Sequence, residues 1–113
     1  DGDEPVQRVL RAAEYDAECP FSGGRETLEP EIVRVLGAIS LPRKRAREKD
    51  TREYDLRPLI HELRAEDPGL RGALVRMKLR ADASGGGRAD EVLRELGLDP
   101  ADCRITRTRL VLA

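Results

Sequence analysis

The sequence predicts an α+β domain of the ferredoxin-like, split βαβ kind, an antiparallel sheet with two helices on one face. Three observations lead there. Residues 73–81 alternate, with Val75, Met77, Leu79 and Ala81 on one side and Arg76, Lys78 and Arg80 on the other, the pattern of a half-buried strand. The glycine run 85–87 leads into a short amphipathic helix, Ala89–Leu96, closed by Gly97. Strand-like segments flank that unit, Ala73–Asp82 before it and Cys103–Leu112 after it, and an earlier strand and helix supply its partner.

Residues 1–11 are polar and acidic, carry Pro5, and read as a linker or N-terminal arm ahead of a ferredoxin-like domain over 12–113. From Ala13 to Cys19 apolar and acidic residues alternate, which is a half-buried strand, and Pro20 with Ser22-Gly23-Gly24 ends it. Thr27 is the expected N-cap of a helix, with Glu29 and Glu31 in the first turn where the helix dipole favours negative charge. Leu28, Ile32, Val35, Leu36 and Ile39 fall at helical spacing on one apolar face. Pro30 sits early enough to be tolerated, and Gly37 puts the helix end near Ala38.

Ile39–Leu41 begins the next strand, running into the charged stretch Pro42–Asp50, which has almost no apolar face and fits an edge strand. Leu56, Leu59, Ile60 and Leu63 have helical spacing, while Pro58 and the alternation of Ile60, Glu62 and Arg64 suit a turn followed by a strand; the sequence allows both. Asp67-Pro68-Gly69 is a turn. In the second helix Val92, Leu93 and Leu96 face the sheet, Gly97 suits the left-handed C′ position, and Asp99-Pro100 starts one extra turn. In the last strand Ile105 and Val111 share a parity with Arg107 and Arg109. Either a bulge intervenes or those arginines face a solvated sheet surface.

A chain of 113 residues makes one domain that buries roughly two-thirds of its unfolded surface. With one Phe, two Tyr and no Trp, the core is built from Leu, Val, Ile and Ala. No apolar run approaches the ~20 residues of a membrane helix, and no signal peptide is recognisable, so no membrane partner and a cytoplasmic location are expected. The first residue is Asp1 rather than Met, and the expectation is a processed chain or a piece of a longer one. Cys19 and Cys103 read as two buried thiols of a cytosolic protein, with their pairing left open by the sequence.

Net charge is −1 but unevenly spread. Residues 1–31 carry nine acids and three bases, whereas 32–57 carry eight bases and four acids, and 103–113 add Arg104, Arg107 and Arg109. Any polyanion contact belongs in those two basic segments. Arg43, Lys44, Arg45 and Arg47 suit a nucleic-acid backbone, and a solvated edge strand with interleaved acids explains them equally well. The last strand's arginines favour binding, because in the expected sheet that strand can lie near the first basic run. Gly86, Gly87 and Arg88 before a helix offer a secondary anion site, although turn flexibility is the simpler reading and no P-loop ending follows. Tyr15 and Tyr54 are better assigned to packing than to base stacking. His61 is the single histidine and reads as a surface residue; the cysteines lack metal spacing. Asp55 beside Arg57 is a turn cap, and no nucleophile–base pair can be assembled.

Four pieces taken in order, Ala13-Glu14-Tyr15, Tyr54-Asp55-Leu56-Arg57-Pro58-Leu59-Ile60, Leu79-Arg80 with Gly85-Gly86-Gly87-Arg88-Ala89-Asp90-Glu91-Val92-Leu93, and Leu96-Gly97-Leu98-Asp99-Pro100 with Arg104-Ile105-Thr106-Arg107-Thr108, carry a resemblance. Together they resemble the C-terminal half of the bacterial radical SAM-associated (radical SAM-linked) uncharacterised protein family, over residues 12–112. Ala89 stands where that family often has proline, and the family's N-terminal half has no counterpart in these residues. The resemblance implies a bacterial cytoplasmic protein encoded beside, or fused to, a radical SAM protein. The iron–sulfur cluster and S-adenosylmethionine belong to that partner, and no cofactor is expected in this chain. The expected role is a non-catalytic accessory domain that assists RNA or translation-related modification through a basic RNA-binding surface. The alternative is a protein–protein docking domain for the same partner, without nucleic acid.

Overall fold

The structure, a computed structural model, describes residues 10–20, 25–46, 51–66, 72–82, 85–86 and 88–112 of the chain. It is an α+β domain with an antiparallel sheet and two helices. The elements are β1 (Leu10–Cys19), α1 (Arg25–Gly37), β2 (Pro42–Ala46), β3 (Thr51–Asp55), β4 (Ile60–Glu66), β5 (Ala73–Asp82), β6 (Gly85–Gly86), α2 (Ala89–Glu95) and β7 (Arg104–Leu112). Single 3₁₀ turns, Arg57–Leu59 and Pro100–Asp102, precede β4 and β7.

The main sheet runs β4-β5-β1-β7, every neighbour antiparallel, with β6 folding back on the end of β5. Because β1 and β4 both oppose β5, they run in the same direction with β5 between them. Alternation decides what each face carries. Along β5, Ala73, Val75, Met77 and Leu79 point inward, and they join Leu28, Ile32 and Val35 of α1 and Ala89, Val92 and Leu93 of α2 in one hydrophobic cluster. Leu28, Leu56, Leu79, Leu93, Val35, Val75 and Val92 are fully buried, each stabilising the fold by about 1.5–3 kcal/mol relative to exposure. The opposite parity of the same strands is charged and open.

Three expectations need correction. The basic stretch after α1 is not a strand of the main sheet; β2 pairs only with β3, as a separate two-stranded hairpin. The strand that follows α1 in the sheet is Ile60–Glu66, so the turn-then-strand reading of that segment holds. The base of the hairpin explains the excursion. Asp55 Oδ1 accepts the N–H groups of Leu41 (2.7 Å) and Arg57 (3.1 Å), and Leu56 N–H donates to Leu41 O at 2.9 Å, so the chain returns to its starting point before entering β4. Second, α1 starts at Arg25 rather than after Thr27, and it ends at Gly37. Ile39 therefore leaves the helical phase and is 97% exposed, while Leu36 is only partly covered. Third, β1 starts at Leu10, within the stretch expected as an arm, because Leu10 finds a ladder partner in Leu112.

Other local readings stand as expected. Gly97 has φ +85°, the left-handed conformation a helix C-terminus favours, and Leu98 N–H returns to Leu93 O at 2.9 Å. Asp99 accepts Ala101 N–H at 2.9 Å and caps the second 3₁₀ turn. A register shift between Glu14 and Tyr15 inserts one extra residue, Thr108, into β7, which is the bulge suggested by the arginine parity. Gly72 has φ +82°, and a Cβ there would lie 2.1 Å from Cys19 O, so the entry to β5 tolerates only glycine. The turn at Asp67-Pro68-Gly69 lies outside the described residues. No helix is long and apolar enough to cross a membrane among the described residues.

Candidate nucleic-acid interface

The two basic segments occupy different sheets and carry their charge differently. In the hairpin, Arg43 is directed at α2. Its Nη2 donates to Glu91 Oε2 at 2.7 Å and its Nη1 to Glu95 Oε1 at 3.2 Å. All three side chains are partly covered, at 24%, 13% and 16% exposure. Arg94 donates to Glu91 at 3.1 Å, and Arg34 of α1 reaches both the backbone oxygen (2.6 Å) and the carboxylate (3.4 Å) of Glu95. Burial works against ionising Glu91, but hydrogen bonds from Arg43 and Arg94 outweigh it and hold the carboxyl below the ordinary range. Burial likewise opposes the Arg43 charge, and its bonds to Glu91 and Glu95 more than offset that, raising its pKa. Arg43 is thus a clamp joining the hairpin to α2.

Its neighbours in the basic run differ. Lys44 is exposed and stands opposite Glu53. Arg45 is described in its backbone only, opposite Arg52, and Arg47 lies outside the described residues. Arg57 is structural as well. Its guanidinium donates to Leu36 O (3.0 Å) at the C-terminal end of α1 and to Ile60 O (3.1 Å), where a cation complements the helix dipole. Asp55 caps the turn as expected. The N–H of Leu41, seconded by that of Arg57, holds its carboxyl below the usual value despite some desolvation.

On β7 the arginines are lightly held. Arg104 meets Glu18 at 3.9 Å and Arg109 meets Glu14 at 3.7 Å, with the arginine side chains 83% and 71% exposed. Exposed pairs of this length contribute little. Arg107, opposite Tyr15 in the register, is exposed and has no ion pair among the described residues. β7 is also an edge: β1 pairs with one side of it, and no described strand pairs with the other. Ile105, Leu110 and Leu112 add apolar surface to the same strand, at 36%, 44% and 46% exposure.

The open sheet face between β4 and β7 is a charge ladder that sequence reading missed. Arg76 lies 3.6 Å from Asp16 and 3.3 Å from Glu66, Arg64 lies 3.0 Å from Glu66, and Lys78 lies 3.7 Å from Glu62. A depression of about 260 Å³ sits among these groups, with Tyr15 and Met77 also in its lining. The ladder was visible in outline, since the outward positions of β1 read Glu14, Asp16, Glu18 and those of β5 read Arg76, Lys78, Arg80. Only the pairing of the two strands brings them together. Tyr15 and Tyr54 both pack against the core and offer no stacking platform.

Gly85 and Gly86 continue the ladder of β5, opposite Asp82 and Ala81, and Gly87 lies outside the described residues. Arg88 precedes α2 in an extended conformation, and its guanidinium lies 3.6 Å from Asp90. Asp90 and Glu91 already supply negative charge to this seven-residue helix. His61 is exposed on β4. Among the described residues no group of three or more His, Cys, Asp or Glu side chains is placed to hold a metal ion.

Fold and surface together define a small α+β domain with one sheet face covered by helices and, at β7, an edge lined with arginine that no described strand pairs. No protein-family model matches the chain, and no curated protein or solved structure gives a match.

Proposed function

We propose that this chain is a non-catalytic accessory domain of the radical SAM-associated kind, and that it grips RNA phosphates through β7. The observation that carries the reading is the set Arg104, Arg107 and Arg109 along a free sheet edge, Arg104 and Arg109 on the charged face and Arg107 on the other, all solvent-exposed and at most weakly paired. Cations in that state neutralise phosphates without first giving up a strong internal partner. Lys44 is a second exposed cation, whereas Arg43 would have to leave Glu91 and Glu95. The order β4-β5-β1-β7 supports a ferredoxin-like split βαβ assignment, with β2–β3 as an excursion between the first helix and the second sheet strand. In this reading the domain works in the bacterial cytoplasm, beside a radical SAM partner that carries the iron–sulfur cluster and S-adenosylmethionine. Its task is to hold an RNA substrate for modification.

A second reading rests on the same strand. Ile105, Leu110 and Leu112 expose apolar surface beside the unpaired edge, which suits strand addition by a protein partner. One experiment separates the two. Binding of the chain to a pool of tRNA and rRNA fragments is measured at low and high salt, for wild type and for the double variant Arg107→Glu, Arg109→Glu. RNA capture should weaken steeply with salt and vanish in the double variant. If wild type binds no RNA at low salt, the arginines are solvated surface and the RNA reading is wrong. Salt-insensitive association with the radical SAM protein would then support docking.

A further inference from the structure

Cys19 closes β1, and Cys103 stands immediately ahead of β7. At this end of the antiparallel pair, Ala17 faces Ile105 and Glu18 faces Arg104. The next facing positions are Cys19 and Cys103. Cys103 is extended (φ −116°, ψ 148°), so strand geometry continues through it. Facing residues of antiparallel strands place their Cα atoms ~4.5–5.5 Å apart, inside the ~4.4–6.8 Å range that a disulfide spans. Cys103 packs against the core cluster that contains Cys19, close enough for its thiol to raise the Cys19 pKa. Each also contacts a carbonyl, Cys19 Sγ donating to Ala17 O and Cys103 Sγ to Asp99 O, both at 3.5 Å.

Their surroundings are unequal. Cys19 is 2% exposed, and burial, reinforced by Cys103, pushes its thiol up to about 12. Cys103 is only partly covered, at the end of a 3₁₀ turn, where a small oxidant can reach it. The close approach of Gly72 to Cys19 O fixes the backbone of the buried partner from the β5 side.

We propose that Cys19 and Cys103 form a redox site, in which oxidation joins them by a disulfide that ties the start of β7 to the end of β1. A hydroperoxide oxidises the Cys103 thiolate to a sulfenic acid and is itself reduced to the alcohol, or to water when it is hydrogen peroxide. The Cys19 sulfur then attacks the Cys103 sulfur. The S–S bond forms, the S–O bond breaks, and hydroxide departs with the Cys19 proton as water. Two electrons have passed from the thiol pair to the peroxide. A dithiol reductant reverses the reaction by exchange. The site stands independently of any RNA role, because it follows from strand register.

The test treats the protein with hydrogen peroxide, blocks remaining thiols with iodoacetamide and maps the unreduced peptides. Expected are the loss of both titratable thiols, a mass lower by two hydrogens, and one linked peptide pair containing Cys19 and Cys103 in the monomer. Dithiothreitol should restore both thiols. In Cys19→Ala, the same treatment should leave Cys103 as a trappable sulfenic acid, and in Cys103→Ser it should leave Cys19 unmodified. The wild-type peptide map decides the matter even if either variant fails to fold. Two surviving thiols, separate oxidation of each cysteine, or disulfides found only between chains would overturn the proposal.

Discussion

β2 and β7 are both short, arginine-rich strands, and the protein uses them in opposite ways. Arg43 of β2 is half-enclosed between two carboxylates of α2 that are themselves largely covered. The arginines of β7 reach across exposed surface to single glutamates at 3.7–3.9 Å, or in the case of Arg107 to none among the described residues. The lesson is that a basic run is not one kind of thing. What separates structure from available charge is whether acids at matching height lie on a packed neighbour, as Glu91 and Glu95 do one helical turn apart on α2.

The contrast can be sharpened most by fastening the strand whose arginines are lightly held. Oxidising Cys19 and Cys103 closes a long loop, and the chain-entropy estimate for such a loop is about 4.5 kcal/mol. Urea unfolding of oxidised and reduced protein should differ by an amount approaching that, with the oxidised form higher. Next in size, Arg43→Ala takes one of two arginine partners from each of two partly buried carboxylates and should cost about 1–2 kcal/mol, measured by urea midpoint, whereas Arg107→Ala should change stability by less than about 0.5 kcal/mol. Equal effects from the two substitutions would erase the distinction between the strands.

A pH series tests the clamp from the acid side. Asp55 and Glu91 both titrate below their ordinary values in the folded chain, the first held by backbone N–H groups and the second by arginines. A depressed folded value means stability that is complete above the unfolded value, near pH 4 (about 3.9–4.3), and lost as pH falls through the folded one. Wild type should therefore weaken as pH falls below about 4, and Arg43→Ala should flatten the Glu91 share of that slope. Asp55→Asn should remove the Asp55 share and leave the remainder. The smallest effect lies on the binding side. Arg107→Ala should lower the slope of log affinity for RNA against log salt by about 1, while leaving the urea midpoint in place.

Much of this architecture was legible because it rests on period. The alternation in 13–19 and 73–81 placed β1 and β5, and Gly97 followed by Asp99-Pro100 placed the end of α2 and the extra turn. The hairpin was not legible. Residues 42–55 have no apolar alternation to assign a face, and what turns the segment back on itself is a carboxylate at Asp55 reaching Leu41 N–H, fourteen positions earlier. The role of Arg43 was hidden for a similar reason, since its partners are 48 and 52 residues away. The cysteine pair required the β1–β7 register, which a bulge at Thr108 shifts and no sequence pattern specifies. By contrast, the parity argument with a bulge admitted puts Arg104 and Arg109 on the charged face, whereas Arg107 keeps the parity of Ile105 and parity does not explain its exposure.

The free edge of β7 has a further consequence for how concentrated solutions of this protein behave. An unpaired strand with exposed Ile105, Leu110 and Leu112 would ordinarily template itself on a second copy. The antiparallel register that matches β7 to its twin over its whole length brings Arg104, Arg107 and Arg109 of both copies to one seam, on both faces of the joint sheet because of the bulge at Thr108. That is six cations along one seam, opposed by no acid on either strand. The molecule thus repels its own image along the line where it is most open, and does so by an interaction that dissolved salt screens. Self-association should rise with ionic strength, the inverse of the trend expected for capture of a polyanion.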